Sequence, residues 1–179
     1  MTHATETNIA PMLVPTASDE LRSIAGELES VILPALQGQV ERSTVATMLH
    51  LLRHAGLRLS LEGQLLFDEI VYLRPLLARA AEWLGPQDAL GARAGAAATA
   101  QSWSPAAAPF EYPSLDRVAR RVAELRQIVD ELLVVLHARA PDDPQADGLH
   151  AAVRTYIGWQ IEQEGKLVEP AFRGWGPRR

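Results

Sequence analysis

Two histidines lie one helical turn apart, at His50 and His54. Side chains four residues apart share one face of an α-helix, and this spacing lets two imidazoles bind the same metal ion. No glutamate stands between them, so the H-E-x-x-H pattern of zinc proteases is missing. A zinc site also needs three or more protein ligands. We therefore interpret the pair as surface or interface histidines, and we predict neither a metal nor a cofactor.

Three glutamates fall on or near the apolar stripes of predicted helices, at Glu62, Glu69 and Glu164. Carboxylates that face the interior of a helical bundle can bind a metal or act as acid and base. The alternative is that each glutamate pairs with an arginine, because buried charges in native proteins are nearly always paired. For Glu164 the expected partners are Arg117 and Arg121. We favour ion pairs, and we keep the glutamates, with the two histidines, as ligands to substitute only if a metal is found.

Composition narrows the class of protein. The chain has 179 residues and no cysteine, which excludes disulfides and thiolate metal sites. Its net charge is −5 and it has no basic run, which argues against nucleic acid as a partner. It shows neither a secretory signal nor an apolar run of about 18 residues. We expect a cytoplasmic protein that does not associate with membranes.

One long stripe of apolar or small residues dominates the middle of the chain. Its steps alternate between three and four residues, which predicts a helical face turned towards a partner element. Two members are Gly56 and Gly63, where a second backbone can approach closely. Residues 39–84 would make an unusually long helix, so we predict two helices with a turn near 61–63. The stripe comprises Val45, Leu49, Leu52, Gly56, Leu59, Gly63, Leu66, Ile70, Leu73, Leu77, Ala80 and Leu84.

The last helix carries a further apolar stripe, which we expect to face the core along its whole length. Glu164 falls inside this stripe, whereas Trp159 lies off it and is predicted to point outward, as in a contact surface. The stripe consists of Leu149, Val153, Ile157, Ile161 and Val168. The predicted core of the protein is Leu28, Ile32, Leu49, Leu52, Leu66, Ile70, Leu73, Val122, Leu125, Val129, Leu132, Ile157 and Ile161.

These patterns predict an all-α fold, a helical bundle of two helical hairpins joined by an Ala/Gly/Pro-rich linker. The linker should contain a short Ala-rich helix near 89–101. We treat everything from residue 16 to the end as one domain. The predicted boundaries are a disordered tail at 1–15, a hairpin at 16–84, the linker at 85–113, a hairpin at 114–170 and a short tail at 171–179.

The segment from Leu21 to Leu52 combines an amphipathic helix, LRSIAGELESVILPAL, with a short break and the sequence ERSTVATMLHLL. With the run ILPAL at 32–36 as its most specific element, it resembles a family of small helical proteins of bacterial acyl-CoA catabolism. Genes of that family neighbour aminoglycoside-phosphotransferase-like kinases and acyl-CoA dehydrogenases. The resemblance implies a non-catalytic partner of such a kinase, in at least one pathway for phosphorylating a hydroxyacyl-CoA. It carries over no functional residues.

Three functional hypotheses remain, and we favour the first, an accessory partner of a phosphotransferase-like kinase. The second is a self-associating structural or regulatory bundle. The third is a helical enzyme or ligand binder that uses inward carboxylates. It is the least favoured of the three, because the sequence has no recognisable nucleophile or phosphate-binding loop. We predict no catalytic residues. Gly56, Gly63 and Trp159 are the candidate interface residues, and a homodimer would bury the same patch on both subunits.

Overall fold

A computed structural model describes residues 15–100 and 114–172 of this chain. Those residues contain no strand, which confirms the all-α prediction. Most of the predicted N-terminal tail, residues 101–113 of the linker and residues 173–179 lie outside them. The helical elements in chain order are α1 (Ala17–Glu27), a π-helical turn (Leu28–Ile32), α2 (Leu33–Ala35), α3 (Gln39–Leu84), α4 (Ala89–Thr99), α5 (Leu115–Arg139) and α6 (Pro144–Phe172).

Helix α3 is continuous over 46 residues, so the predicted turn near 61–63 is wrong. The hydroxyl of Ser60 donates to the carbonyl of Gly56 within the same helix, at 3.0 Å, instead of capping a new one. The two-hairpin arrangement is therefore not confirmed. The chain divides into two compact units, which we call unit 1 and unit 2, and the division falls inside α3, between Ser60 and Leu61.

A proline inside α3 does not end it. Pro75 lacks an N–H, which leaves the carbonyl of Val71 without its partner in the helix. Val71 and Pro75 are both exposed. Water can therefore satisfy that carbonyl, and the helix continues.

Unit 1 pairs α1 with the first part of α3. The N-cap Thr16 accepts a hydrogen bond from the backbone of Asp19, whose carboxylate accepts one in return, each at 3.2 Å. Further along, Glu29 of the π-helical turn and Arg53 of α3 form an ion pair at 2.8 Å. The core is small: it consists of Ala25, Val45 and Leu49, with Leu28, Leu33, Leu36 and Leu52 packed against it.

The π-helical turn of unit 1 precedes Pro34 and changes which side chains face α3. A π turn bonds residue i to i+5, so residues after it lose the phase of α1. Ile32 is exposed as a result, and its prediction as a core residue is wrong.

Unit 2 contains the rest of α3 with α4, α5 and α6. The predicted Ala-rich helix is present as α4, capped by Asp88, whose carboxylate accepts from the backbone N–H groups of Leu90 and Gly91. Arg121 donates to a carbonyl in the last turn of this helix, at 3.3 Å. The buried core of unit 2 consists of Ile70, Leu73, Leu76, Leu77, Ala80, Ala94, Ala97, Val118, Val122, Leu125, Ile128, Val129, Leu132, Leu136, Ala146, Leu149, Val153 and Tyr156.

Within the two described ranges, no helix is both long and apolar enough to cross a membrane.

Candidate functional site

The core of unit 2 holds a glutamate. Glu69 is 4% exposed and is the one charged residue buried among those described. It precedes Ile70 on the apolar stripe of α3, so the helix directs its carboxylate inward. A carboxylate in an apolar core is unfavourable unless its oxygens are hydrogen-bonded to donors.

Two other helices supply those donors. On α5, Arg126 donates from Nε to Oε1 of Glu69 at 2.6 Å and from Nη2 to Oε2 at 2.7 Å. On α6, the hydroxyl of Tyr156 donates to Oε1 at 2.6 Å. The paired arginine bonds match the planar geometry of a carboxylate. This cluster joins α3, α5 and α6 through polar contacts inside an apolar core.

The electrostatics of the cluster keep Tyr156 protonated. Burial raises the pKa of the Tyr156 phenol, and the hydrogen bond to Glu69 raises it further. The pKa of the Arg126 guanidinium is also raised, chiefly by its hydrogen bonds to Glu69. Both donors therefore stay protonated across the ordinary range of pH, and Glu69 is engaged on both oxygens. Such a carboxylate stabilises the fold and is poorly placed to act as a general base.

Tyr156, which bonds Glu69, belongs to a cluster of three aromatic rings. The ring of Trp159 stacks on that of Tyr72 with 4.9 Å between centroids, and the Tyr72 and Tyr156 centroids are 5.7 Å apart. Trp159 is thus half-buried against the core, and the prediction that it points outward is wrong. Trp159 lies off the apolar stripe of α6, but its side chain is large enough to reach Tyr72 on α3 and turns towards it. Its role in an interface stays a prediction.

Glu164 is exposed, so the expectation that it faces the bundle interior is wrong, and it meets the same arginine from the solvent side. Its Oε1 lies 3.6 Å from Nη2 of Arg126 and accepts a hydrogen bond from Gln160 at 3.1 Å. The favoured interpretation of Glu69 and Glu164 as ion-paired is confirmed. Arg121 as a predicted partner of Glu164 is wrong, because it bonds α4 and Glu124 instead. Arg117 as a partner of Glu164 stays a prediction.

The remaining metal-ligand candidates belong to two different units. His50 and His54 are half-buried residues of unit 1, and Glu62 is half-buried in unit 2. Over 15–100 and 114–172, no group of three or more acidic or histidine side chains is close enough to hold a metal ion. The structure thus joins Glu69 and Glu164 through Arg126 and does not join the five candidates into one site.

The candidate interface glycines have open surroundings. A Cβ atom placed on Gly56 or Gly63 would meet no atom within 4 Å. Among the residues that the structure describes, the close backbone approach for which they were singled out does not occur. Whether another chain uses them stays a prediction.

The apolar stripe of α6 leaves the core part-way along the helix. Val153 and Tyr156 are buried, whereas Ile161 is 66% exposed and Val168 is 49% exposed. Ile161 was predicted as a core residue, which is wrong. Because Ile161 and Val168 are seven residues apart, they share one side of the helix. We call these two residues the α6 face.

A shallow cleft of about 360 Å³ lies elsewhere in unit 2, between the end of α3 and the start of α6. Trp83 in its wall donates from Nε1 to Asp143 at 2.8 Å, and Arg139 lies over its ring at 5.3 Å. This hydrogen bond is the main reason that the pKa of Asp143 is lowered. Asp143 also accepts from the first backbone N–H groups of α6, so these contacts close the turn between α5 and α6. The cleft is lined by Arg79, Glu82, Trp83, Pro144, Gln145, Gly148 and Leu149.

Sequence reasoning missed two members of the central cluster. Tyr156 follows Val153 by three residues on the buried stripe of α6, and a tyrosine at a core position needs a partner for its hydroxyl. That signal was available. Arg126 sits beside buried Leu125, and nothing in the sequence says that it reaches a residue 57 positions earlier.

No protein-family model, curated protein or solved structure matches this chain.

Proposed function

We propose that this protein is a non-catalytic accessory protein that binds a phosphotransferase-like kinase acting on a hydroxyacyl-CoA. The observation that carries the proposal is the α6 face. An apolar stripe that begins in the core and continues into solvent for two turns is typical of a surface that another protein covers. The choice of a kinase rests on the resemblance of the segment 21–52, and we assign the contact to the α6 face.

The chemistry of this face suits a protein partner. Ile161 and Val168 supply the apolar centre, and Glu164, which is exposed on the same side of the helix, adds a charge at its edge. Trp159 is not part of this face, because it precedes Ile161 by two residues and stacks on Tyr72 at the other side of α6.

The bonding of Glu69 supports a role without catalysis. The one buried charged group among the described residues, the Glu69 carboxylate, is engaged by Arg126 and Tyr156 on both oxygens. A general acid or base needs an accessible proton position next to a substrate. The proposal therefore assigns the cluster to stability and the α6 face to function.

The test is capture of partners from the native host by the full chain. We expect the wild-type protein to recover a kinase-fold protein and the Ile161→Glu, Val168→Glu double variant to lose it. The control is Val134→Glu, which places one such charge on α5 at a valine that is 73% exposed. Equal recovery by the wild type and the double variant would contradict the proposal, as would recovery of no kinase-fold protein at all.

A further inference from the structure

Four large apolar side chains of α3 are exposed in unit 1: Val40, Met48, Leu51 and Leu59. At about 100° per residue, all four lie within an arc of about 100° on the helix. We call them the α3 face. It borders the side of α3 on which Val45 and Leu49 are buried.

The α3 face is symmetric along the helix. Its midpoint lies between residues 49 and 50. Val40 and Leu59 are equally far from this midpoint on opposite sides, and so are Met48 and Leu51. A second copy of α3 running antiparallel about this midpoint would place Val40 opposite Leu59 of that copy, and Met48 opposite its Leu51. Self-complementarity of this kind is what a two-fold interface requires.

Charge and size follow the same symmetry. Glu41 and Arg58 are exposed, fall within the same arc and are related about the same midpoint, so an antiparallel pair would bring them together twice. Thr44 and Ala55 are related likewise and lie at the centre of the arc, where small side chains let two helices approach. The Thr44 hydroxyl already donates to the carbonyl of Val40 at 3.0 Å, so contact there would leave no donor unsatisfied.

Unit 1 also has a reason to need more contacts. Three residues form its buried core, and helices gain most of their stability from packing against neighbours. The α3 face and the side that packs on α1 occupy adjoining arcs, so α3 can contact α1 and a second copy at once. In a pair of copies, the two α1 helices and the two α3 helices would form a four-helix arrangement around a two-fold axis.

We propose that this chain forms a homodimer in which the α3 face of one copy packs antiparallel against the α3 face of another. The interface is separate from the α6 face. Dimer formation therefore goes beyond the kinase-binding role, and a failure of one leaves the other standing.

The absence of cysteine allows a direct test of register. Full-length Val40→Cys and Leu59→Cys proteins are prepared separately, mixed and oxidised. We expect the mixture to form a covalent dimer and each variant alone to form little. The two positions are about 28 Å apart along one helix, so a bond between them must join two chains. Cross-linking of the Val40→Cys protein with itself would indicate a parallel pairing and overturn the proposal.

The mass in solution provides the second measurement. Sedimentation equilibrium should show a dimer for the wild type and at least about a 100-fold higher dissociation constant for Leu51→Glu, because each dimer buries two such leucines. Val134→Glu should remain dimeric. Glu41→Arg should weaken the dimer, and the Glu41→Arg, Arg58→Glu double variant should restore it. A monomeric wild type, or equal effects of the two glutamate substitutions, would overturn the proposal.

Discussion

Glu69 shows how a charge is kept in an apolar core. Its two oxygens accept three hydrogen bonds from Arg126 and Tyr156, at 2.6 to 2.7 Å. Removing one partner of a buried charge is costly because the other charge stays behind without compensation. Loss of Arg126 should therefore destabilise the protein more than loss of a partner in an exposed ion pair.

Replacing Arg126 with methionine should lower the free energy of unfolding by about 2–4 kcal/mol. The side chain of Arg126 is 37% exposed, which places the expected loss below that of a fully buried pair. Urea unfolding measures it. The matched control is Arg93→Met, which breaks the exposed pair with Glu131 and should leave stability nearly unchanged. Equal losses in both variants would show that Glu69 does not depend on Arg126.

Tyr156 should make stability fall in alkaline solution. Its pKa is raised in the folded protein, so above about pH 10 the unfolded chain loses this proton while the folded chain keeps it. The unfolded state then binds fewer protons, and the free energy of unfolding decreases as pH rises. Tyr156→Phe removes this contribution, so its decrease between about pH 8 and 11 should be shallower than that of the wild type. Parallel curves in urea unfolding would contradict the assignment.

Pairing of the glutamates could be predicted from the sequence, and the identity of the arginine could not. The rule that buried charges are paired needs only the apolar stripe around Glu69. The choice of Arg126 depends on the distance and rotation between α3 and α5, which no local pattern contains. The prediction that Trp159 points outward was wrong for the same reason, because its ring stacks on Tyr72 of another helix.

Helix α3 shows where element boundaries escape sequence patterns. Its stripe keeps one phase from Val45 to Leu84, and the structure follows that phase as a single helix. The prediction of a turn gave more weight to typical helix lengths and to Gly63 than to the unbroken phase. By contrast, Asp88 caps the start of α4 and Ser114 caps the start of α5, each with its own side chain. The cap at Ser114 was predictable because its signal is local.

Gly63→Ala tests the continuity of α3. Alanine in a helix interior is favoured over glycine by about 0.5–1 kcal/mol, and a Cβ at this position meets nothing within 4 Å. We expect a small gain in the free energy of unfolding. The control is Gly91→Ala in α4, whose Cβ would lie 2.5 Å from the carbonyl oxygen of Gly85 and should destabilise the protein. A loss of stability in Gly63→Ala would indicate a turn or a close contact at that glycine.

At the scale of the whole molecule, each unit carries an apolar surface of its own. The α3 face belongs to unit 1 and the α6 face to unit 2. Single charged substitutions on one surface should therefore leave the function of the other intact.

The all-α class was predictable from composition and periodicity. The two exposed faces were not, since periodicity reports which residues share a side and not whether anything covers it.

Restoration of kinase activity tests the central claim most directly. An extract of the native host is depleted of this protein, and phosphorylation of a hydroxyacyl-CoA is measured before and after adding it back. We expect the activity to collapse on depletion and to return with the wild type or with Val134→Glu. It should not return with the Ile161→Glu, Val168→Glu variant, which lacks the apolar centre of the α6 face. Activity that survives depletion, or that this double variant fully restores, would contradict the account.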